Sequence, residues 1–147
     1  MTDDEIYAAA LKIAERKCRV AEGEAVTDPA AARGLFQLRL AGREEETFAC
    51  AFLDTRHRLL GFEELFHGSL DGAEVHPRVV VKRALAINAS AVIVGHNHPS
   101  GDPEPSAADR AVTARLKQAL ALVDVRLLDH FVVGKGVPMS MASRGLV

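Results

Sequence analysis

Two histidines separated by a single residue, His96 and His98, directly follow the apolar run 91–94. In an extended segment, residues i and i+2 point to the same side, so both imidazoles can converge on one point. Asp109 follows a proline-rich loop, one turn into a predicted helix. Two histidines and a carboxylate are the donor set of a catalytic zinc site, whose open position holds a water with a pKa lowered to about 7. The sequence therefore predicts a hydrolytic Zn²⁺ centre at His96, His98 and Asp109, although iron or manganese would accept the same ligands.

Asp109 has a second interpretation. Ser106 precedes it by three residues, and Ser-x-x-Asp before an apolar helix is the spacing of a capping box. Ser106 would then be the N-cap and Asp109 its acidic partner. Position alone leaves ligand and cap equally open for Asp109, and the Ser106 hydroxyl could serve both a cap and a substrate.

The elements that must position these residues form an alternating pattern of helices and strands. The apolar run 48–53 and the segment 59–66 predict a hairpin, and the run 91–94 predicts a buried strand that ends at Gly95, where a loop begins. This order predicts a one-domain α/β fold with a mixed sheet. The other predicted elements are a helix from the Thr2 cap to about Cys18 or Arg19, a helix from Asp28-Pro29 to Gly42, a helix from His76-Pro77, a helix from Ser106, a strand over 125–133 and a pairing segment over 137–141.

The histidine segment resembles a known motif. His-x-His, seven residues, then Ser-x-x-Asp matches the JAMM metalloprotease motif without a gap, and the wider resemblance is to the RadC family, over roughly residues 46–134. The resemblance implies a JAMM/MPN-like domain with a curved mixed β-sheet flanked by helices. It implies zinc held by His96, His98 and Asp109, Ser106 stabilising an oxyanion, and cleavage of a peptide or isopeptide bond. We expect residues 43–147 to form this domain, with residues 1–42 as an N-terminal helical segment packed on it. The segments that carry the RadC resemblance are 75–78, 95–106 and 127–130.

The resemblance also implies a glutamate as general base beside the first core strand. Glu46, directly before the apolar run 48–53, fits that position. Glu44 and Glu45 are its neighbours and stay open as alternatives. Without the resemblance, the three glutamates would be interpreted as a solvated charge run.

Asp129 and His130 form a further polar pair, in the predicted strand 125–133. Metal-bound histidines usually donate their other ring nitrogen to a partner, and this pair could supply one. The alternative is a polar pair that holds a loop.

Composition bears on partners and location. The net charge is −2, with no Trp and one Tyr, which does not favour a nucleic-acid surface. Longer RadC members carry a DNA-contacting helix-hairpin-helix region, whose glycine pattern is missing from the residues before the core here. The alternative function is a DNA-repair-associated or nucleic-acid-processing protein of the RadC family without peptidase activity, and a scaffold without catalysis is a third. No apolar run approaches a membrane span, and the acidic N-terminus lacks a signal pattern, so we expect a cytoplasmic enzyme acting on a peptide or protein substrate.

Overall fold

The computed structural model, which describes residues 1–19, 29–68 and 74–147, contains a five-stranded mixed sheet with helices packed on both faces. The strand order is β2-β1-β3-β4-β5. This arrangement confirms the predicted mixed α/β fold. The elements are α1 (Asp3–Arg19), α2 (Pro29–Leu40), β1 (Thr47–Leu53), β2 (Leu59–His67), α3 (Pro77–Ile87), β3 (Ala91–Asn97), α4 (Ala107–Ala121), β4 (Arg126–Val133), β5 (Met139–Ser140) and a 3-10 turn (Ala142–Arg144).

Strand β3 is the centre of the sheet. It pairs antiparallel with β1 and parallel with β4, which it reaches through the crossover helix α4. Strand β1 also pairs antiparallel with β2, as the predicted hairpin requires, and β5 pairs antiparallel with β4. The carboxyl end of β3 therefore lies between the start of β1 and the end of β4.

The two faces of the sheet bury different helices. One face packs Phe48, Val92 and Val94 against α3 and α4, and the other packs Ile93 and Phe131 against α2. On the α2 face, a Cβ atom at Gly95 would lie 2.4 Å from the Phe36 ring. Glycine at this position therefore lets α2 pack directly behind the strand end that carries the histidines.

Strand β3 is longer than predicted. It continues through His96 and Asn97, because their backbones pair with Val132 and Val133 of β4. The loop predicted from Gly95 therefore begins only at His98, and His96 is held inside the sheet. Gly95 and the prolines that follow it predicted an earlier end of the strand. Backbone pairing with the neighbouring strands extends β3 beyond that point.

The structure also contains the four predicted helices, α1 to α4. Helix α1 starts as predicted, with the Thr2 hydroxyl accepting from the Glu5 backbone N–H at 3.1 Å. Helix α2 is followed by Gly42 with φ 75°, a left-handed conformation suited to glycine. Asp28, the predicted cap of that helix, lies outside the described residues.

Candidate metal centre

The predicted ligands His96, His98 and Asp109 meet at one point. His96 Nε2 lies 3.0 Å from His98 Nε2 and 3.1 Å from Asp109 Oδ1, and His98 Nε2 lies 3.1 Å from Asp109 Oδ2. His96 is buried and the other two are partly buried. The i, i+2 geometry and the folding back of α4 thus bring all three donors together.

The capping interpretation of Asp109 is confirmed, and the same carboxylate stays in a position to bind a metal ion. The Ser106 hydroxyl accepts from the Asp109 backbone N–H at 3.0 Å, and Asp109 Oδ2 accepts from the Ser106 backbone N–H at 2.8 Å, which completes the capping box. The cap orients the carboxylate, so that its two oxygens also face the two histidines. Ser106 uses its oxygen as an acceptor in the cap. Its role toward an oxyanion stays a prediction.

The loop after β3 fixes the ring of His98. His98 Nδ1 donates to the Asp102 carbonyl at 2.8 Å, which leaves Nε2 as the nitrogen that faces the cluster. The loop is tied to the end of β4 by Lys135 N–H, which donates to the Gly101 carbonyl at 2.8 Å. A Cβ atom at Gly134 would lie 2.5 Å from that same carbonyl oxygen, so only glycine permits this approach.

Asp129 and His130 have different roles. Each takes one of the two roles that the sequence left open for the pair. His130 Nε2 lies 2.7 Å from His96 Nδ1, and the ring is 1% exposed. Asp129 instead accepts from Ser140 Oγ and from the Ala142 backbone, and so holds β5 and the 3-10 turn. Burial lowers the pKa of His130 well below its ordinary value, and the nearby His96 adds to this shift, so the buried ring is neutral.

Glu46 directly precedes β1, and alternation along that strand assigns it to the same face of the sheet as His96. Phe48 pairs with His96 across β1 and β3, and side chains two residues apart along an extended chain share a face. Glu46 is partly buried, whereas Glu44 and Glu45 are exposed, and Glu45 lies 3.7 Å from His67. The charge of Glu46 also contributes to the raised pKa of His98. Among the three glutamates, these observations favour Glu46 as the base.

Asn97, which the sequence analysis did not single out, holds the segment that carries Glu46. Its Oδ1 accepts from the Thr47 backbone N–H at 2.7 Å, and its Nδ2 donates to the carbonyls of Arg43 at 3.3 Å and Glu45 at 3.1 Å. Alternation along β3 places Asn97 on the face opposite the histidines. In the sequence, Asn97 stands between the two candidate histidine ligands, which indicated that it is held at the same end of the strand.

The electrostatics of the cluster suit a bound cation. The hydrogen bond with Asp109 is the main cause that raises the pKa of His98. Burial alone would raise the pKa of Asp109, but its contacts with His96 and His98 and with the Ser106 backbone N–H outweigh burial and hold the carboxylate ionised. A tetrahedral ion with bonds of about 2.0–2.1 Å keeps its ligand atoms about 3.3 Å apart. The observed spacings of 3.0 and 3.1 Å fit such an ion with a small expansion.

Affinity for a divalent cation is expected to fall as the pH is lowered. Because the pKa of His98 is raised, the metal-free site keeps a proton there to a higher pH than an ordinary histidine would, and the cation must displace it. Above that pKa, the affinity for the cation should not change with pH. Below it, the affinity should weaken about tenfold per pH unit for each proton displaced. Competition titrations with a chelator of known affinity would measure this. An affinity that does not change between about pH 8 and pH 5.5 would contradict the prediction.

Two cavities adjoin the segments that form the cluster. One of 360 Å³ is lined by Glu44, Glu45, Glu46, Gly68 and Pro99. Another of 230 Å³ is lined in part by Arg43, Asn97, His98 and Lys135. A larger cavity of 620 Å³ lies at the opposite end of β4 and is lined by none of the three ligands. Its size does not make it the candidate site, because it lacks this chemistry.

Among the helices of the described residues, none combines the length and the apolar composition that a membrane span requires.

Comparison with known proteins agrees with the geometry of the site. Residues 26–146 match the family model described as "RadC-like JAB domain". A protein of Xanthomonas campestris pv. campestris (strain 8004), named "UPF0758 protein", is 60% identical over 141 residues, which cover 95% of this chain and 63% of the relative. A namesake from Xanthomonas oryzae pv. oryzae (strain PXO99A) is 61% identical over 140 residues, or 94% of this chain and 62% of the relative. One from Xylella fastidiosa (strain 9a5c) is 58% identical over 139 residues, or 93% and 62%. The chain thus spans less than two thirds of the length of these relatives. The predicted resemblance is confirmed, and the chain belongs to the RadC-like JAB domain family.

Proposed function

We propose that this chain is a zinc-dependent hydrolase that cleaves a peptide or isopeptide bond. The proposal rests on the convergence of His96, His98 and Asp109, whose ring nitrogens and carboxylate oxygens approach one another to 3.0–3.1 Å. Two imidazoles and one carboxylate suit zinc, and three protein ligands leave a position for a water, as in catalytic rather than structural sites.

The residues around the cluster fit the remaining tasks of amide hydrolysis. Zinc bound by the three ligands would supply a Lewis acid and lower the pKa of the attacking water. Glu46 accepts a proton from that water and returns it to the departing amine. The Ser106 hydroxyl uses its oxygen as an acceptor in the helix cap, so its own proton remains to be donated to the developing oxyanion.

The surroundings support a polypeptide substrate rather than DNA. The cavity of 360 Å³ beside Glu46 is lined by three glutamates, which would repel phosphates. The other cavity, of 230 Å³, has mixed charge, because Arg43 and Lys135 line it together with Glu44 and His98. Glu44 and Pro99 line both cavities and His98 lines the second, so a polypeptide that occupied both would lie beside His98. The relatives are longer than this chain. The activity, substrates and partners of a protein of their full length are therefore likewise part of what we propose.

A substrate screen would test the proposal. Zinc-loaded protein is incubated with a peptide library and with lysine-isopeptide substrates, and new ends are read by mass spectrometry. We expect cleavage that stops after chelation and returns when zinc is added. The matched control is His57→Asn, which removes an imidazole beyond the far end of β1 and keeps a residue that tolerates φ 60°. It should cleave like the wild type.

Two results would contradict the proposal. One is cleavage that continues undiminished after the metal has been removed. The other is fully zinc-loaded protein that leaves every peptide and isopeptide bond intact.

A further inference from the structure

A buried chain of hydrogen bonds joins two of the three ligands behind the metal centre. It runs from the backbone carbonyl of Asp109 to Thr113 Oγ1, from Thr113 Oγ1 to His130 Nδ1, and from His130 Nε2 to His96 Nδ1. Each of these three contacts is 2.7 Å long. Thr113, His130 and His96 are 0%, 1% and 4% exposed, so water does not compete for these contacts.

The direction of every hydrogen bond in this chain follows from the backbone carbonyl at its start. A carbonyl oxygen can only accept, so Thr113 gives its single hydroxyl proton to Asp109. The Sδ atom of Met141, at 3.7 Å, is a weaker and more distant acceptor for that proton. Thr113 Oγ1 then accepts from His130 Nδ1–H. His130 Nε2 is thereby left as an acceptor, and His96 Nδ1–H donates to it.

This direction decides which nitrogen of His96 faces the cluster with a lone pair. With the proton on Nδ1, Nε2 is unprotonated and does not donate to Asp109 Oδ1, 3.1 Å away, so these two atoms are acceptors that a cation between them would satisfy. The ring is also held in place by Phe48, which stacks on it at 6.4 Å and meets the His130 ring edge-on at 5.7 Å. Tautomer and orientation are therefore both set before a cation arrives.

We propose that Thr113 and His130 are positioning residues that set the affinity of the site for its divalent cation, by fixing the tautomer of His96 through hydrogen bonds anchored on the Asp109 carbonyl. Neither residue contributes a donor to the cluster. The inference rests on the proposed zinc centre but not on hydrolysis. Partners of this kind usually change metal affinity by about 10- to 100-fold.

A pair of substitutions at Thr113 separates this role from simple packing. Thr113→Val keeps the shape of the side chain and removes the hydroxyl, whereas Thr113→Ser keeps the hydroxyl and removes a methyl group. If Thr113 only filled space between α4 and β4, serine would be the worse replacement. If it directs the hydrogen bonds, valine would be.

The experiment measures zinc affinity by competition with a chelator, under conditions in which circular dichroism shows all variants folded. We expect Thr113→Val to bind zinc about 10- to 100-fold more weakly than the wild type, and Thr113→Ser to stay within about threefold. In ¹⁵N NMR of the zinc-loaded wild type, His96 should carry its proton on Nδ1. The Co²⁺-loaded forms should differ in their visible spectra between valine and wild type, and agree between serine and wild type.

Several outcomes would overturn the inference. Equal zinc affinity in the wild type and Thr113→Val would do so, as would equal losses in both variants, since those would follow packing. A His96 that carries its proton on Nε2 would contradict the direction of the chain. Wild-type protein that binds no zinc would refute the metal centre itself. Wild-type protein that binds zinc but cleaves nothing would refute only the proposed hydrolysis.

Discussion

Glu46→Gln is expected to lower the rate of hydrolysis by about 100-fold or more, the usual scale of general acid–base catalysis, while zinc binding and fold are retained. The amide keeps the shape of the side chain and removes its basicity. Glu46 donates no atom to the cluster and is held through the backbone of its segment by Asn97. Turnover of a cleaved peptide, measured beside the zinc content of the same sample, would separate catalysis from binding.

The neighbouring glutamates offer matched controls. Glu44→Gln and Glu45→Gln make the same chemical change at the two exposed side chains that directly precede Glu46 in the chain. Both variants should keep most of kcat, and because both side chains line the 360 Å³ cavity, any loss of activity should appear in KM. A full loss in Glu45→Gln with activity kept in Glu46→Gln would show that the wrong glutamate was chosen as the base.

His96→Ala and Asp109→Ala are each expected to reduce zinc from one ion per chain to background. Loss of one of three protein ligands leaves an incomplete site, and the charge of Asp109 balances part of the charge of the ion. Zinc content after gel filtration, measured by mass spectrometry of the metal, would test this. Full occupancy in either variant would show that other residues bind the ion.

Asp109→Asn refines that experiment, because alanine also removes half of the capping box. Asparagine keeps an oxygen that can accept from the Ser106 N–H, and it removes the charge. It should lose zinc as alanine does and lose less stability, by about 1 kcal/mol, the usual worth of such a cap. His57→Asn, at the far end of β1, should keep its zinc.

The meeting of His96 and His98 and the capping position of Asp109 could be predicted from the sequence because their geometry is local, whereas only the family resemblance favoured Asp109 as a ligand. Two histidines at i and i+2 share a side of any extended segment, and Ser-x-x-Asp marks a helix start whatever surrounds it. These rules needed no knowledge of the rest of the chain. The length of β3 was predicted wrongly for the opposite reason, since its last residues are strand only through pairing with distant partners.

The role of His130 shows the limit of local rules more clearly. Adjacent residues in a strand point to opposite faces, so only one member of the Asp129–His130 pair could reach the metal face. Which one does so depends on the register of β4 against β3, and that register shifts between Val92 and Ile93. A shift of this kind leaves no mark in the apolar pattern. The contacts of Asn97 with residues 43–47 are likewise long-range.

The three ligands all lie within residues 96–109, whereas Glu46 reaches them only through the pairing of β1 with β3. Local contacts close short loops and cost little chain entropy, while the β1–β3 ladder closes a loop several times longer. A transient opening between these two strands would therefore carry the base away and leave the ligands together. Metal retention and hydrolytic competence would then be lost at different levels of partial unfolding, and a zinc-loaded chain need not be an active one.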